Sequence, residues 1–195
     1  MIDVSILAAQ ITAAAKKMYN LRYEMSNGGN ISIRIPGTDL MLIKGTNVAF
    51  DEINESNLVV TDFDGKVVQG TIKPSKEGLL HGYLYKNFPN VGAIMHCHSP
   101  YSIAWAANHE SLAFSTHHAE LKLKACPVVD THSYAVPPEC FPLVLDAVKQ
   151  VEGTNAFILR AHGQVAMAKD MREATYLAEL VEETAQIAVL TEAMK

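Results

Sequence analysis

Cysteine is scarce in this chain. Cys97, Cys126 and Cys140 are odd in number and irregularly spaced, so no disulfide framework is implied and a reducing cytoplasm is the expected compartment. Long apolar runs are missing too: none approaches the roughly 18 residues of a membrane-spanning helix. The start, Met1-Ile2-Asp3-Val4, lacks the basic region that opens a secretory signal, so neither secretion nor membrane insertion is expected. The net charge is -5 and no cluster of Lys or Arg stands out, which argues against nucleic acid or an anionic membrane surface as the partner. Internal repeats, linkers and low-complexity segments are also absent.

What remains is the composition of a folded domain. Of 195 residues, 49% are hydrophobic and 19% charged, enough for a sizeable core and consistent with one domain over residues 1–195. Residues 2–19 carry Ile2, Ile6, Leu7, Ile11, Ala14, Ala15 and Met18 near a 3.6-residue period, which predicts a helix. Ile31-Ser32-Ile33-Arg34-Ile35 alternates, Pro36 to Asp39 turns, and Leu40 to Ile43 returns, predicting a hairpin. Strand, turn and strand follow over 58–68, then a helix from Glu77 to Lys86 stopped by Phe88-Pro89-Asn90. Ser99-Pro100 reads as N-cap and first position of a helix to about Ala107. Leu112 to Phe114 and Pro127 to Val129 read as short strands, 140–151 as a helix and 156–160 as a strand. A tight turn at 161–164 leads into a return strand, Val165 to Ala168. Asp170 and Glu173 form a capping box for a last helix reaching Glu192, with Leu177, Val181, Thr184, Ala188 and Leu190 as its apolar stripe. This order predicts an α/β fold with a mostly antiparallel sheet between helix layers.

The chemistry is concentrated in the histidines. Eight are present, and several cluster between 96 and 132. The run Val91 to Met95 leads straight into His96-Cys97-His98, and in a strand residues i and i+2 share a face. Two imidazoles side by side begin a metal site, although a bare His-x-His is more often two surface histidines at a strand end. His162, in a turn between apolar strands and followed by Gly163, completes a three-histidine set. Such a set leaves a coordination position open for water or substrate. Glu77 opens a helix, where a carboxylate either favours the dipole or is aimed at the metal as a general base and acid. The polar loops Ser26–Asn30, Lys44–Asn47 and Ser75–Lys76 carry small residues, backbone N–H groups and hydroxyl or amide side chains. Together they suggest an anion cradle, with Gly28-Gly29 letting a ligand approach the backbone and Lys76 adding a point charge.

Five motifs in order carry a resemblance over nearly the whole length. They are Gly29-Asn30-Ile31-Ser32-Ile33-Arg34, Ile43-Lys44-Gly45-Thr46-Asn47, Lys73-Pro74-Ser75-Lys76-Glu77, His96-Cys97-His98-Ser99 and Ala161-His162-Gly163. On them the chain resembles the class II aldolase/adducin family. The resemblance implies a three-layer αβα sandwich, a homotetramer, and a divalent metal, usually Zn2+ and otherwise Mn2+ or Co2+, on His96, His98 and His162. It gives Glu77 the catalytic carboxylate's place, and puts Gly29, Asn30, Thr46, Asn47, Ser75 and Lys76 at the substrate phosphate. The activity implied is that of a lyase, resembling L-fuculose-1-phosphate aldolase, which cleaves a small phosphorylated ketose through a metal-stabilised enediolate. The family's 4-epimerases, decarboxylases and dehydratases share this chemistry and stay open as alternatives. An adducin-like scaffold is disfavoured because adducin heads lack the metal histidines. Thr116 to Glu120 resembles the Thr-His-Ala-Asp stretch of the epimerases, so Glu120 is a second candidate catalytic carboxylate or a solvated partner of Lys122 or Lys124. Glu at position 77, where the epimerases carry Asp, favours the aldolases. The chain departs from the aldolase pattern in having Asn47 in place of Gly, Lys76 in place of Ser and His117 in place of a site Tyr. It also ends soon after the last helix, without the C-terminal tail whose Tyr enters a neighbouring site in some relatives.

Overall fold

Alternation decides which way each strand faces. Ile31 and Ile33 enter the core on one side of the sheet, while Ser32 between them meets the opposite helix layer. Met41 and Ile43 take one side and Leu42 the other; Ile94 likewise opposes Ala93 and Met95, and Val165 and Met167 oppose Ala166 and Ala168. Strands this apolar on both faces need cover on both.

The computed structural model describes residues 2–195 and supplies that cover. Eight strands are present among these residues: Asn30–Arg34 (β1), Leu40–Lys44 (β2), Leu58–Asp62 (β3), Val67–Gln69 (β4), Ala93–Cys97 (β5), Val128–Val129 (β6), Ala156–Leu159 (β7) and Gly163–Ala168 (β8). They form one sheet in the order β4-β3-β2-β1-β5-β8-β7-β6. Only β6 and β7 run parallel; every other pairing is antiparallel. The helices Ser5–Asn20 (α1) and Met171–Ala193 (α6) pack on one face, and Gly78–Asn87 (α2) and Phe141–Lys149 (α5) on the other. The short helices Pro100–Ala106 (α3) and His117–Leu123 (α4) pack with the second half of α6 and with β7. This is the αβα sandwich expected, with the predicted hairpin intact: Ser32 pairs with Ile43 and Arg34 with Met41. The three cysteines are unpaired. Among the described residues no helix is long and apolar enough to cross a membrane.

Several details differ from the expectations. Residues 112–114 form no strand; only an isolated bridge joins Ser111 to Pro127. Helix α4 was not foreseen, because its seven residues bury only Ala119 and Leu123 and show too little period to read; Thr116 caps it by accepting from Ala119 N–H at 3.2 Å. Leu190 is 48% exposed, since two residues beyond Ala188 the helix has turned to its far side. Asp170 caps α6 by accepting from Glu173 N–H at 2.8 Å, but the reciprocal half of the box is replaced by an ion pair between Glu173 and Lys169 at 2.6 Å.

Ser99 precedes Pro100 as expected, yet its side chain does not cap α3. Its Oγ donates to Tyr23 O (3.1 Å) and accepts from Gln164 Nε2 (2.9 Å). The cap comes from α6 instead. The buried Glu182 carboxylate accepts from Tyr101 N–H at 2.8 Å, Ser102 N–H at 2.9 Å and Ser102 Oγ at 2.6 Å. These are the donors that a helix N-terminus leaves without intrahelical partners. Hydrogen bonds to a charged group are worth about 1.5–3 kcal/mol each, but removing the side chain also removes the cost of burying its charge, so Glu182→Ala is expected to cost about 2–4 kcal/mol net. Urea unfolding checks this: the midpoint should fall with the slope unchanged.

Candidate active site

The end of β5 and the chain after it collect the functional side chains. Across the β1–β5 pairing His96 stands opposite Asn30, and across β5–β8 Cys97 stands opposite Gln164. Two residues before Gln164, the turn between β7 and β8 carries His162. That turn is closed by His162 N–H to Leu159 O at 3.1 Å, with Ala161 in the left-handed region at φ 54°. Pairing of distant strands thus brings the third histidine to the first two. The ring centroids of His96, His98 and His162 lie 4.7–5.0 Å apart, and one nitrogen from each falls within 4.8 Å of the others.

This set can hold a divalent ion. His96 Nδ1 donates to Gln164 O at 2.8 Å, which leaves its Nε2 as the lone-pair nitrogen. That Nε2 lies 3.2 Å from His162 Nε2. Two nitrogens bound tetrahedrally to one ion at about 2.0–2.1 Å are about 3.4 Å apart, so the spacing fits. Burial, with His162 and His98 adding to it, holds His96 well below the ordinary imidazole range. Burial and then His162 lower His98 to about 4. Both rings are therefore neutral near pH 7, as metal ligands must be.

Glu77 is no solvated helix-dipole charge. It occupies the N-cap position of α2 but makes no capping bond. Its side chain is buried: Oε2 accepts from Asn30 Nδ2 at 2.8 Å and lies 3.4 Å from His96 Nε2, while Oε1 accepts from Val136 N–H at 3.3 Å and lies 4.0 Å from His162 Nδ1. Behind it, the Ser32 hydroxyl joins His81 Nδ1 (2.7 Å) and the Tyr85 hydroxyl (2.8 Å). Burial pushes His81 to about 3, so this neighbour is a neutral polar group.

The three polar loops line one cleft with Glu77, His98 and His162, and Gly29, Asn30, Thr46, Asn47, Ser75 and Lys76 all border it. Their backbone donors are less available than their composition suggests. Thr46 N–H is bound to Lys73 O at 2.9 Å and Ser75 N–H to Lys44 O at 3.0 Å, because the two loops bridge each other at Gly45 and Pro74. The cleft's border also brings Asn47, on a backbone at φ 60°, and the exposed Lys76, whose ammonium lies 5.5 Å from the Tyr134 ring centroid. Glu120 and His117 do not border this cleft. They are exposed on α4 and face each other at 3.2 Å.

Two ionisable residues at the site have places that the sequence did not assign: Lys44, read only as part of a polar loop, and Glu24, not singled out at all. Lys44 is buried at the end of β2, its Nζ donating to Val48 O (2.6 Å), Gly28 O (3.0 Å) and Asn27 O (3.3 Å), which ties two of the polar loops together. Burial lowers its ammonium to about 8, with Glu24 pulling upward. Its signal was available: alternation past Leu42 puts residue 44 on a core-facing position. Glu24, fully buried, accepts from His98 N–H at 2.6 Å. Burial raises its carboxyl to about 7, opposed by that hydrogen bond and by Lys44. No periodicity or motif marks a lone Glu between a helix and a glycine loop.

Comparison with known proteins bears on this geometry. Residues 9–189 match the family model described as the class II aldolase and adducin N-terminal domain. The chain is 32% identical to an L-fuculose phosphate aldolase of Methanococcus maripaludis (strain C5) over 170 residues, covering 87% of this chain and 88% of that one. It is 30% identical over 168 residues to an L-ribulose-5-phosphate 4-epimerase of Salmonella paratyphi B, covering 82% of this chain and 74% of that one. Among solved structures, an L-fuculose 1-phosphate aldolase superposes with a TM-score of 0.88 at 29% identity, covering the whole of this chain and 89% of that one. The expected resemblance holds in sequence and in fold, and the chain belongs to the class II aldolase and adducin family.

Proposed function

We propose that this chain is a zinc-dependent aldehyde-lyase that cleaves a small phosphorylated ketose in the retro-aldol direction. The observation that supports it best is the placement of Glu77, whose carboxylate is held by Asn30 and Val136 beside the buried His96 ring and its two histidine neighbours. His96, His98 and His162 would hold the ion. When bound there, zinc supplies Lewis acidity that stabilises the negative charge appearing as the carbon–carbon bond breaks.

The remaining work falls to this chain's own side chains. The hydroxyls of Thr46 and Ser75, the amide of Asn47 and the ammonium of Lys76 bind the phosphate and anchor one end of the substrate. Asn30 and Val136 aim Glu77 at the carbon beside the carbonyl: as the bond breaks, the hydroxyl that becomes the aldehyde gives its proton to water, and the Glu77 carboxyl gives one to the three-carbon fragment, the reverse reaction running both transfers backwards. Glu120 has no such approach within its own chain. The 4-epimerase reading is supported by the Salmonella relative's name, and the two readings predict different products. Offered a panel of phosphorylated ketoses, the protein should release a three-carbon phosphate and an aldehyde, detected by mass spectrometry, and lose this activity on chelation. An isomeric pentulose phosphate as sole product would replace the lyase with an epimerase.

Glu77→Gln keeps the shape and removes the proton acceptor. General acid–base residues contribute roughly 10²–10⁴-fold, and kcat is expected to fall by that order. An unchanged kcat would move the proton transfer to another group. Lys76→Ala tests the phosphate. A phosphate contact is made in ground and transition states alike, so its loss raises KM more than it lowers kcat. A charge-assisted bond of about 1.5–3 kcal/mol corresponds to roughly a ten- to hundredfold rise in KM. Steady-state kinetics on phosphorylated and unphosphorylated substrates should show the loss on the first only.

A further inference from the structure

We propose that Glu24 is a positioning residue of the metal site: its two carboxylate oxygens serve the two N–H groups of His98, backbone and ring Nδ1, and so turn Nε2 of that ring toward the ion. The proposal rests on reading the three histidines as the zinc site.

One half of the arrangement is already made. Glu24 Oε2 accepts from His98 N–H at 2.6 Å. The other oxygen, Oε1, is buried, has no hydrogen-bond partner among the described residues, and lies 3.8 Å from His98 Nδ1. A buried carboxylate oxygen left without a donor is costly, and a small rotation of the ring would give it one. His96 meets the same need with a backbone carbonyl, Gln164 O. His98 lies beyond the last paired residue of β5, and there a side chain takes the carbonyl's place.

The surroundings are shaped for this contact. A Cβ on Gly28 would overlap the Nδ1–Cε1 edge of the His98 ring, and a Cβ on Gly29 would overlap the Glu24 carboxylate. The paired glycines therefore make room for the ligand ring and for the carboxylate behind it. Lys44 holds the carbonyls of Asn27 and Gly28, so the loop cannot swing away. The two His98 groups are both donors, and only a group with two acceptors satisfies both. An amide in place of the carboxylate must present its own N–H to one of them, whichever way it turns.

The test uses the full-length chain with 15N-labelled histidine and zinc added in solution. In the zinc-loaded protein, imidazole 15N correlation spectra should show His98 protonated on Nδ1 and ligated through Nε2. Competition with a chelating dye should show Glu24→Gln binding zinc roughly 10–100-fold more weakly, as expected when an outer partner of a ligand is lost. Glu24→Asp, which keeps two acceptors, should recover part of the loss. Ligation of wild-type His98 through Nδ1, or zinc affinity of Glu24→Gln within twofold of wild type, would overturn the proposal. If Glu24→Gln does not fold, as judged by circular dichroism, the wild-type spectrum decides alone. A wild-type protein that takes up no zinc would instead overturn the metal reading itself, and this proposal with it.

Discussion

The chain leaving β5 must pass from the middle of a sheet into a helix while presenting two histidines, and the structure depends on how its backbone N–H groups are satisfied there. No strand pairs with it beyond Cys97. Two buried carboxylates supply acceptors in place of a ladder. Glu24 takes the N–H of His98, and Glu182 takes those of Tyr101 and Ser102. A buried charge is expensive unless it is well bonded, and both carboxylates accept hydrogen bonds here. Segments distant in sequence, the loop before β1 and the middle of α6, are thereby pinned to the same few residues.

Much of the fold was legible because it follows from periodicity. Alternation in Ile31 to Ile35 announces β1, the apolar runs at Leu40 to Ile43 and Val91 to Met95 announce strands between helix layers, and the spacing of Ile11, Ala15 and Met18 announces α1. The misses have physical causes. Residues 112–114 are apolar but find only one bridging contact, and α4 is too short to show a period. Ser99 has the residue type of an N-cap, yet its hydroxyl is drawn to Tyr23 and Gln164, a competition that no local pattern reveals.

The candidate site divides in the same way. The histidines could be found because strand geometry alone puts His96 and His98 on one face; His162, alone an ordinary turn residue, gained meaning only by completing that pair. Glu77 was ambiguous between helix dipole and site until Asn30 and Val136 were seen to hold it. Glu24 and Glu182 could not have been found. A carboxylate in a polar loop, or among the charges of a long helix, looks solvated until the tertiary structure encloses it.

Gly28 carries a consequence for how this site can change over time. Its hydrogen stands where any other residue would press into the His98 ring. Substitution at position 28 is closed while the ring is in place and opens once the ring is gone. A descendant of this chain that abandoned the imidazole cluster would thus have a preferred order of events, with His98 lost before a side chain arrives at 28. In such a descendant, a bulky residue before Gly29 would mark a histidine already discarded.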